Sequence, residues 1–185
     1  MPAFDLSALS LGEVSISGKG AKSCPFAGPS LLATFQGRVA FEPSAFGDTE
    51  STRVNLVIRP SDEDVQALQQ LDSWVLSMVQ RDPVKYFGKQ RSADQIAESY
   101  TPSVKHHEKY GAALKGKMNL EGVSAVKVWD SNNKLRPCPA EWRDALVNVR
   151  LKLRSLWFMG QGGFGVTLEV SDVQILEETS AERPF

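Results

Sequence analysis

Residues 147–176 have the sequence VNVRLKLRSLWFMGQGGFGVTLEVSDVQIL, the clearest β pattern in the chain. From residue 145 to 158 apolar residues alternate with polar and basic ones, which is typical of a strand with one buried face. Glycines follow at 160–165, and a second alternating stretch covers 164–176. No Lys-Ser or Lys-Thr pair follows the glycines, so they predict a hairpin turn rather than a phosphate-binding loop. The stretch therefore predicts a long antiparallel hairpin.

Upstream, the patterns predict short strands and one main helix. Strands are expected around Val14 and Ile16, at 31–41 and at 53–59, and the last of these stops at Pro60. Ser61 and Asp64 have the spacing of a capping box, and apolar residues recur at helical spacing up to Asp82. A weaker capping box predicts a short helix at 92–100. The strands expected at 114–120 and 124–129 would pair with each other.

Strands, one helix and then more strands, without βαβ alternation, indicate a mainly β protein. We expect an elaborated OB-fold Greek-key barrel, with the main helix between strands 3 and 4 and with extra hairpins. A jelly-roll or another sandwich is the main competing fold. The 185 residues suit one domain covering 1–176, of which 1–30 are partly flexible, followed by a short acidic tail at 177–185.

Composition excludes several functional classes. Lys plus Arg is 21 and Asp plus Glu is 22, so the chain is not a strongly basic, histone-like protein. The two histidines, His106 and His107, are adjacent, and no CxxC or HExxH motif occurs, so we expect no metal site, no cofactor and no enzyme activity. No apolar run is long enough to span a membrane. Cys24 and Cys138 are expected to be free thiols of an intracellular protein, although a pairing between them stays open.

Basic residues outnumber acidic ones in the middle of the chain. Nine bases and five acids lie between Arg81 and Lys127. Arg150, Lys152 and Arg154 share one strand face at intervals of about 7 Å, a spacing that lets three cations follow a phosphate backbone.

Aromatic residues are interspersed with these bases. Trp129 shares the face of Lys127, and Phe158 continues the cationic face of its strand, whereas Trp157 continues the apolar face and is expected in the core. Such rings stack on the bases of single strands, which expose their faces, rather than on duplex DNA. The expected nucleic-acid contacts are Lys105, His106, Lys115, Lys117, Lys127, Trp129, Arg150, Lys152, Arg154 and Phe158. Lys105 and His106 are expected in a loop that could close over the strand.

Three segments resemble the single-stranded DNA-binding proteins of bacterial viruses and their relatives in large DNA viruses. They are VNLVIRPSDEDVQAL at 54–68, VKVWDSNNKLRP at 126–137 and the closing hairpin at 147–176. The resemblance covers roughly residues 30–176 and implies an OB barrel whose groove binds single-stranded DNA without sequence preference. It implies a role in DNA replication, recombination or repair, at intracellular sites of replication.

The C-terminus also resembles the partner-binding tip of such proteins, in which an acidic tail ends in Pro-Phe. By this resemblance the tail would contact replication proteins through Glu177, Glu178, Glu182, Pro184 and Phe185. The tips of that family are richer in Asp, and Arg183 interrupts the acids here. An RNA-directed role and a jelly-roll capsid protein are the alternatives, and a homodimer stays open.

Overall fold

The computed structural model describes residues 4–45 and 52–179. Strands outnumber helices in this part of the chain, which confirms a mainly β fold. The strands are β1 (Ser10–Leu11), β2 (Ser15–Ile16), β3 (Lys22–Ala27), β4 (Leu32–Val39), β5 (Arg53–Pro60), β6 (Tyr100–Thr101), β7 (Val104–His107), β8 (Gly111–Asn119), β9 (Lys127–Trp129), β10 (Leu135–Arg136), β11 (Leu146–Phe158) and β12 (Phe164–Glu177). The helices are α1 (Asp62–Arg81), α2 (Pro83–Phe87) and α3 (Ala93–Ser99), and a 3-10 turn covers Leu6–Ala8.

Five strands close into a ring. β11 pairs with β4, β4 with β5, β5 with β8, β8 with β12, and β12 returns to β11. The β8–β12 pair is parallel and the other four are antiparallel. Around the ring, the strands therefore follow the chain order first, second, third, fifth, fourth. The shorter strands extend this ring, with β3 continuing along β11 and β7 along β8.

The predicted hairpin between 114–120 and 124–129 is wrong. β8 pairs with β5 and β7, whereas β9 pairs with β12 and β10. After β8 the chain continues along the same edge of β12, where β9 forms a parallel pair with residues 172–174. Alternation predicts that both segments are strands, but it does not specify their partners.

The main helix begins and ends where the sequence predicts. The Ser61 hydroxyl accepts a hydrogen bond from the Asp64 amide at 3.1 Å, and α1 ends at Arg81 before Asp82 and Pro83. The capping box of α3 at Ser92 and Gln95 is also present. α1 connects the second and third strands of the ring, and five strands precede it, so the expected position between strands 3 and 4 is wrong. The difference arises because residues 10–27 form three short strands.

The two long strands, β11 and β12, both contribute buried residues to the core. In β11, the alternation of buried and exposed residues changes face partway along the strand. Val149, Leu151 and Leu153 are buried, as the pattern predicts. The pairing with β12 shifts register between Leu153 and Ser155, which marks a bulge. One extra residue exchanges the two faces of the strand, so Phe158 is buried and Trp157 lies on the outer face. The expected positions of Phe158 outside and Trp157 in the core are therefore wrong.

The N-terminal segment, which the sequence predicts to be partly flexible, contributes to the sheet and the core. β3 pairs with the end of β11, and Phe4, Cys24 and Phe26 are buried. Both cysteines are free, and Cys138 is exposed. None of the described helices is long and apolar enough to cross a membrane.

Candidate nucleic-acid interface

A groove of about 350 Å³ opens on the outer face of β5, β7 and β8, and we call it the outer groove. Its floor is largely apolar, and cations and aromatic rings stand on its walls. The lining residues are Phe41, Val57, Thr101, Pro102, Ser103, Lys105, His107, Ala113, Lys115, Trp157, Val166 and Leu168. No carboxylate occurs in this described lining.

Strand alternation and register bring the lysines together. Leu114, Gly116 and Met118 are directed into the core, so Lys115 and Lys117 lie on the outer face of β8. Lys115 is opposite Val57 and Lys117 is opposite Asn55 on β5. Gly116 is required because a Cβ there would lie 2.8 Å from a Val170 methyl, where β8 crosses β12. This close packing holds β8, which carries the two lysines, against β12.

The segment around Lys105 is a strand, so the expected loop is wrong. Lys105 is paired with Ala113 across β7 and β8, and this pairing places its side chain on the face of Lys115. His106 is directed to the other face and lies in a separate depression beside Asp72 and Tyr100. The next residue, His107, lines the outer groove. The expected contact His106 therefore lies outside the groove, and its neighbour His107 lies in it.

Lys117 lies near two other cations, Lys115 and Arg53. Burial, with the nearby charges of Lys115 and Arg53, lowers the pKa of the Lys117 ammonium below its usual value. The fold therefore holds this ammonium where burial and two neighbouring cations disfavour its charged form.

We expect Lys117→Gln to stabilise the protein at neutral pH. Because the pKa of Lys117 is lowered in the folded state, the charged form destabilises that state at every pH below the lowered value. This penalty decreases as pH rises through the lowered pKa toward that of an unfolded lysine, so the gain should shrink in alkaline solution. Thermal melts at pH 7 and pH 10 measure it, with Lys134→Gln, at an exposed turn position, as the control. A lower melting temperature at pH 7 would contradict the expectation.

Two aromatic side chains of the groove were not among the predicted contacts. Phe41 is 44% exposed and meets Tyr110 edge to face, with ring centroids 5.9 Å apart. Trp157 lies over Gly165, where a Cβ would be only 2.7 Å from the indole ring. A signal for Trp157 was present in the sequence. Leu153 and Leu156 differ by three in residue number. In a regular strand, residues on the same face differ by an even number, so two core residues an odd number apart require a bulge between them.

A half-buried carboxylate, that of Asp72, anchors one wall of the groove to α1. Asp72 accepts hydrogen bonds from the Ser103 hydroxyl at 2.6 Å, from the Ser103 amide at 3.1 Å and from the Tyr100 hydroxyl. Burial raises the pKa of the Asp72 carboxyl, and these hydrogen bonds act against that increase. The three donors hold residues 101–103 in place beside Trp157.

The other predicted cations lie on a different surface, which we call the strand row: Arg150, Lys152 and Arg154 on the outer face of β11. Two of its three members are neutralised, since Arg150 lies 3.6 Å from Asp172 and Arg154 lies 3.3 Å from Glu169. In the ring, β11 is two strands away from both β5 and β8, and none of the three residues of the strand row lines the outer groove. The structure thus divides the predicted contacts between two surfaces.

Trp129 belongs to the side of the strand row. It is half-buried, it lines a polar depression with Arg150, and its indole N–H donates to Asp172 at 3.0 Å. Lys127 is exposed on the same strand, and Val128 between them is buried, as alternation predicts.

The beginning of the acidic tail is held by arginines outside the groove. Glu177 pairs with Arg38 at 2.8 Å, and Glu178 pairs with Arg136. The other predicted tail contacts, Glu182, Pro184 and Phe185, lie outside the described residues. Within residues 4–45 and 52–179, no three His, Cys, Asp or Glu side chains form a group that could hold a metal ion.

Comparison with protein families gives one match. Residues 45–184 match the model of a family described as "Family of unknown function (DUF5871)". No curated protein sequence matches the chain.

Solved structures with a similar fold include proteins of bacterial viruses. The single-stranded DNA-binding protein gp2.5 of bacteriophage T7 is 14% identical, with a TM-score of 0.56 over 84% of this chain and 98% of that one. The single-stranded DNA-binding protein of bacteriophage Enc34, solved in complex with single-stranded DNA, is 10% identical. Its TM-score is 0.53 over 95% of this chain and 98% of that one. These similarities confirm that the chain shares the fold of the phage proteins that its sequence resembles.

Proposed function

The chain belongs to DUF5871, a family of unknown function, and we propose that it binds single-stranded DNA in the outer groove, without sequence preference. The observation that carries this proposal is the groove itself. Lysines and aromatic rings line an apolar floor, and no carboxylate is among the described lining residues. The fold shared with the Enc34 protein, which was solved with single-stranded DNA, supports the same function.

We propose further that the ring is an OB-type barrel. Such a barrel has five strands and binds oligonucleotides on the face of its second and third strands. In this chain the second and third strands of the ring are β5 and β8, which form the floor of the outer groove. The main helix follows the second strand rather than the third, so the chain would be a variant of that fold.

The chemistry of the groove suits a single strand. Lys105 and Lys115 in the groove, with Lys117 next to it on β8, would neutralise phosphates and release the counterions that condense on them. Trp157 and Phe41 would stack on bases, which every nucleotide allows because every base has a π-face. Paired bases in a duplex are already stacked, so a duplex would gain only the electrostatic part. The residues present therefore favour binding that depends strongly on salt and weakly on sequence.

We extend the proposal to a role in DNA replication or recombination. Coating single strands during DNA replication or recombination fits this binding mode, and the acidic tail would then recruit replication proteins. The strand row stays a predicted second contact, although its ion pairs with Asp172 and Glu169 reduce the charge that it offers.

Titration with fluorescent oligo-dT, oligo-rU and duplex DNA at two salt concentrations tests the function. Oligo-dT should bind more tightly than the duplex. Lys115→Ala should flatten the plot of log K against log salt by about 0.7, the value for one released counterion on a single strand. Lys134→Ala is the matched control and should leave the slope unchanged.

Three outcomes would contradict parts of this proposal. Absence of oligo-dT binding at low salt would refute the function. Tighter binding of oligo-rU would instead indicate an RNA-directed role. A slope that changes in Lys152→Ala and not in Lys115→Ala would move the DNA to the strand row.

A further inference from the structure

A second cationic cleft lies at the end of the barrel, and we call it the turn cleft. It has a volume of about 290 Å³ and is bounded by the β11–β12 turn, the segment after α2 and the start of β3. The side chains that matter here are Lys22, Phe87, Lys89, Arg91 and Phe158, together with the backbone of Gly162. Apart from Phe158, none of these residues was among the predicted contacts.

The guanidinium of Arg91 is fixed in place. It donates hydrogen bonds to the Ser99 hydroxyl at 2.6 Å and to the Gly162 carbonyl at 3.2 Å, and it lies 4.6 Å from the centre of the Phe87 ring. Gly162 has a φ of +97°, and a Cβ there would lie 2.8 Å from an Arg91 nitrogen. The turn therefore needs glycine both for its backbone conformation and for the approach of this cation.

The charge of the cleft is not balanced by acids. Its described lining has three cations and no carboxylate, and neither Lys22, Lys89 nor Arg91 has a carboxylate within ion-pair distance in the described part of the chain. The strand row differs, because two of its three cations are paired. Like charges held together destabilise the folded state unless an anion binds between them.

The position of the cleft next to the outer groove favours one class of anion, the phosphates of nucleic acid. Trp157 in the outer groove is followed by Phe158 and Met159, which line the turn cleft. Met159 lies two residues beyond Trp157, which is about 7 Å at the rise of a β-strand. One nucleotide of an extended single strand covers such a distance. A strand that leaves the groove past Trp157 therefore meets these cations next.

We propose that the turn cleft binds the phosphates of the same DNA strand immediately after it leaves the outer groove. This inference rests on the proposed function and deepens it, because it gives the strand a path and an exit. Lys22 and Lys89 would supply mobile charges, and Arg91 a fixed one. The turn cleft would thus lengthen the binding site without adding a base-stacking position.

A series of oligo-dT lengths with the variant Lys22→Ala/Lys89→Ala tests the proposal. Oligomers short enough to fill only the outer groove should bind the variant and the natural protein equally. Longer oligomers should bind the variant more weakly, and their salt slope should fall by about 1.4, which corresponds to two released counterions. Lys134→Ala/Arg143→Ala, which removes the same charge from exposed positions elsewhere, should affect no length.

The result that would overturn the proposal is a loss that is equal at every length, or no loss at any length. An equal loss would mean that the two lysines act only through the general field of the protein. The failure of the proposed function is distinguishable, since the natural protein itself would then bind none of the oligomers. Thermal melts of the variant show whether it folds, because Lys22 also lies 5.4 Å from the centre of the Phe158 ring.

Discussion

Replacing Trp157 with alanine should weaken the binding of oligo-dT by about 1–3 kcal/mol, the contribution of one base stacked on an aromatic ring. This corresponds to a rise in Kd of roughly 5-fold to 150-fold. The indole lies on the outer face of β11 over Gly165, beside Lys105 and Lys115, where a base can reach it. Fluorescence anisotropy of labelled oligo-dT measures the loss, and the DNA-induced quench of intrinsic fluorescence should decrease with it. Trp157→Phe, which keeps a ring, should recover part of both.

Trp129→Ala is the informative comparison for this prediction. Trp129 lies on the side of the strand row, with its N–H bound to Asp172. If the DNA follows the outer groove, removing this indole should leave affinity and most of the quench in place. If Trp129→Ala abolishes the quench and Trp157→Ala does not, the DNA lies on the strand row and our placement is wrong. Thermal melts of both variants separate an effect on binding from an effect on folding.

Replacing the next residue, Phe158, with alanine should instead reduce stability by about 3–5 kcal/mol, as is usual for a buried phenylalanine. Phe158 is only 8% exposed, and its ring stacks with Tyr86 and Phe164 at centroid distances of 6.1 and 5.7 Å. Phe87 meets it edge to face at 5.8 Å. The lost contacts and the resulting cavity should lower the melting temperature by roughly 10 °C in a chain of this size. Differential scanning calorimetry measures this change.

The control for Phe158 is the exposed aromatic Phe41. Phe41→Ala should change the melting temperature much less, because this ring is 44% exposed, and it should weaken DNA binding. For Phe158→Ala, the fraction that remains folded should bind short oligo-dT, which fills only the outer groove, with little loss. A stable Phe158→Ala protein with weakened binding of short oligo-dT would show that Phe158 contacts DNA directly.

The contrast between Trp157 and Phe158 explains where prediction from sequence failed. Period-two alternation correctly placed Val149, Leu151 and Leu153 in the core. Beyond Leu153 one bulged residue exchanged the faces, so the same rule misassigned both aromatic residues. Alternation is a local property that holds only while the ladder is regular, and a bulge depends on how the partner strand bends.

In the candidate site, too, some features could be predicted from the sequence and others could not. Sequence reasoning identified Lys105, Lys115 and Lys117, because basic residues on alternating strands are visible without a structure. It could not place them apart from the strand row, because the distance between β8 and β11 depends on how the ring closes. It also did not identify Phe41 and the turn cleft, whose members come from segments far apart in the chain.

Local sequence patterns were sufficient to predict several elements of this protein: the capped helix from Asp62 to Arg81, the long hairpin of β11 and β12, and the lysines on the outer face of β8. These features follow from hydrogen bonds, periodicity and turn chemistry among residues that are near neighbours in the chain. The three-dimensional structure was needed to establish which strands pair, which face of β11 Trp157 occupies, and that the predicted cations form two surfaces rather than one. These outcomes depend on contacts between distant segments, whose free energies are set by the packing of the whole barrel.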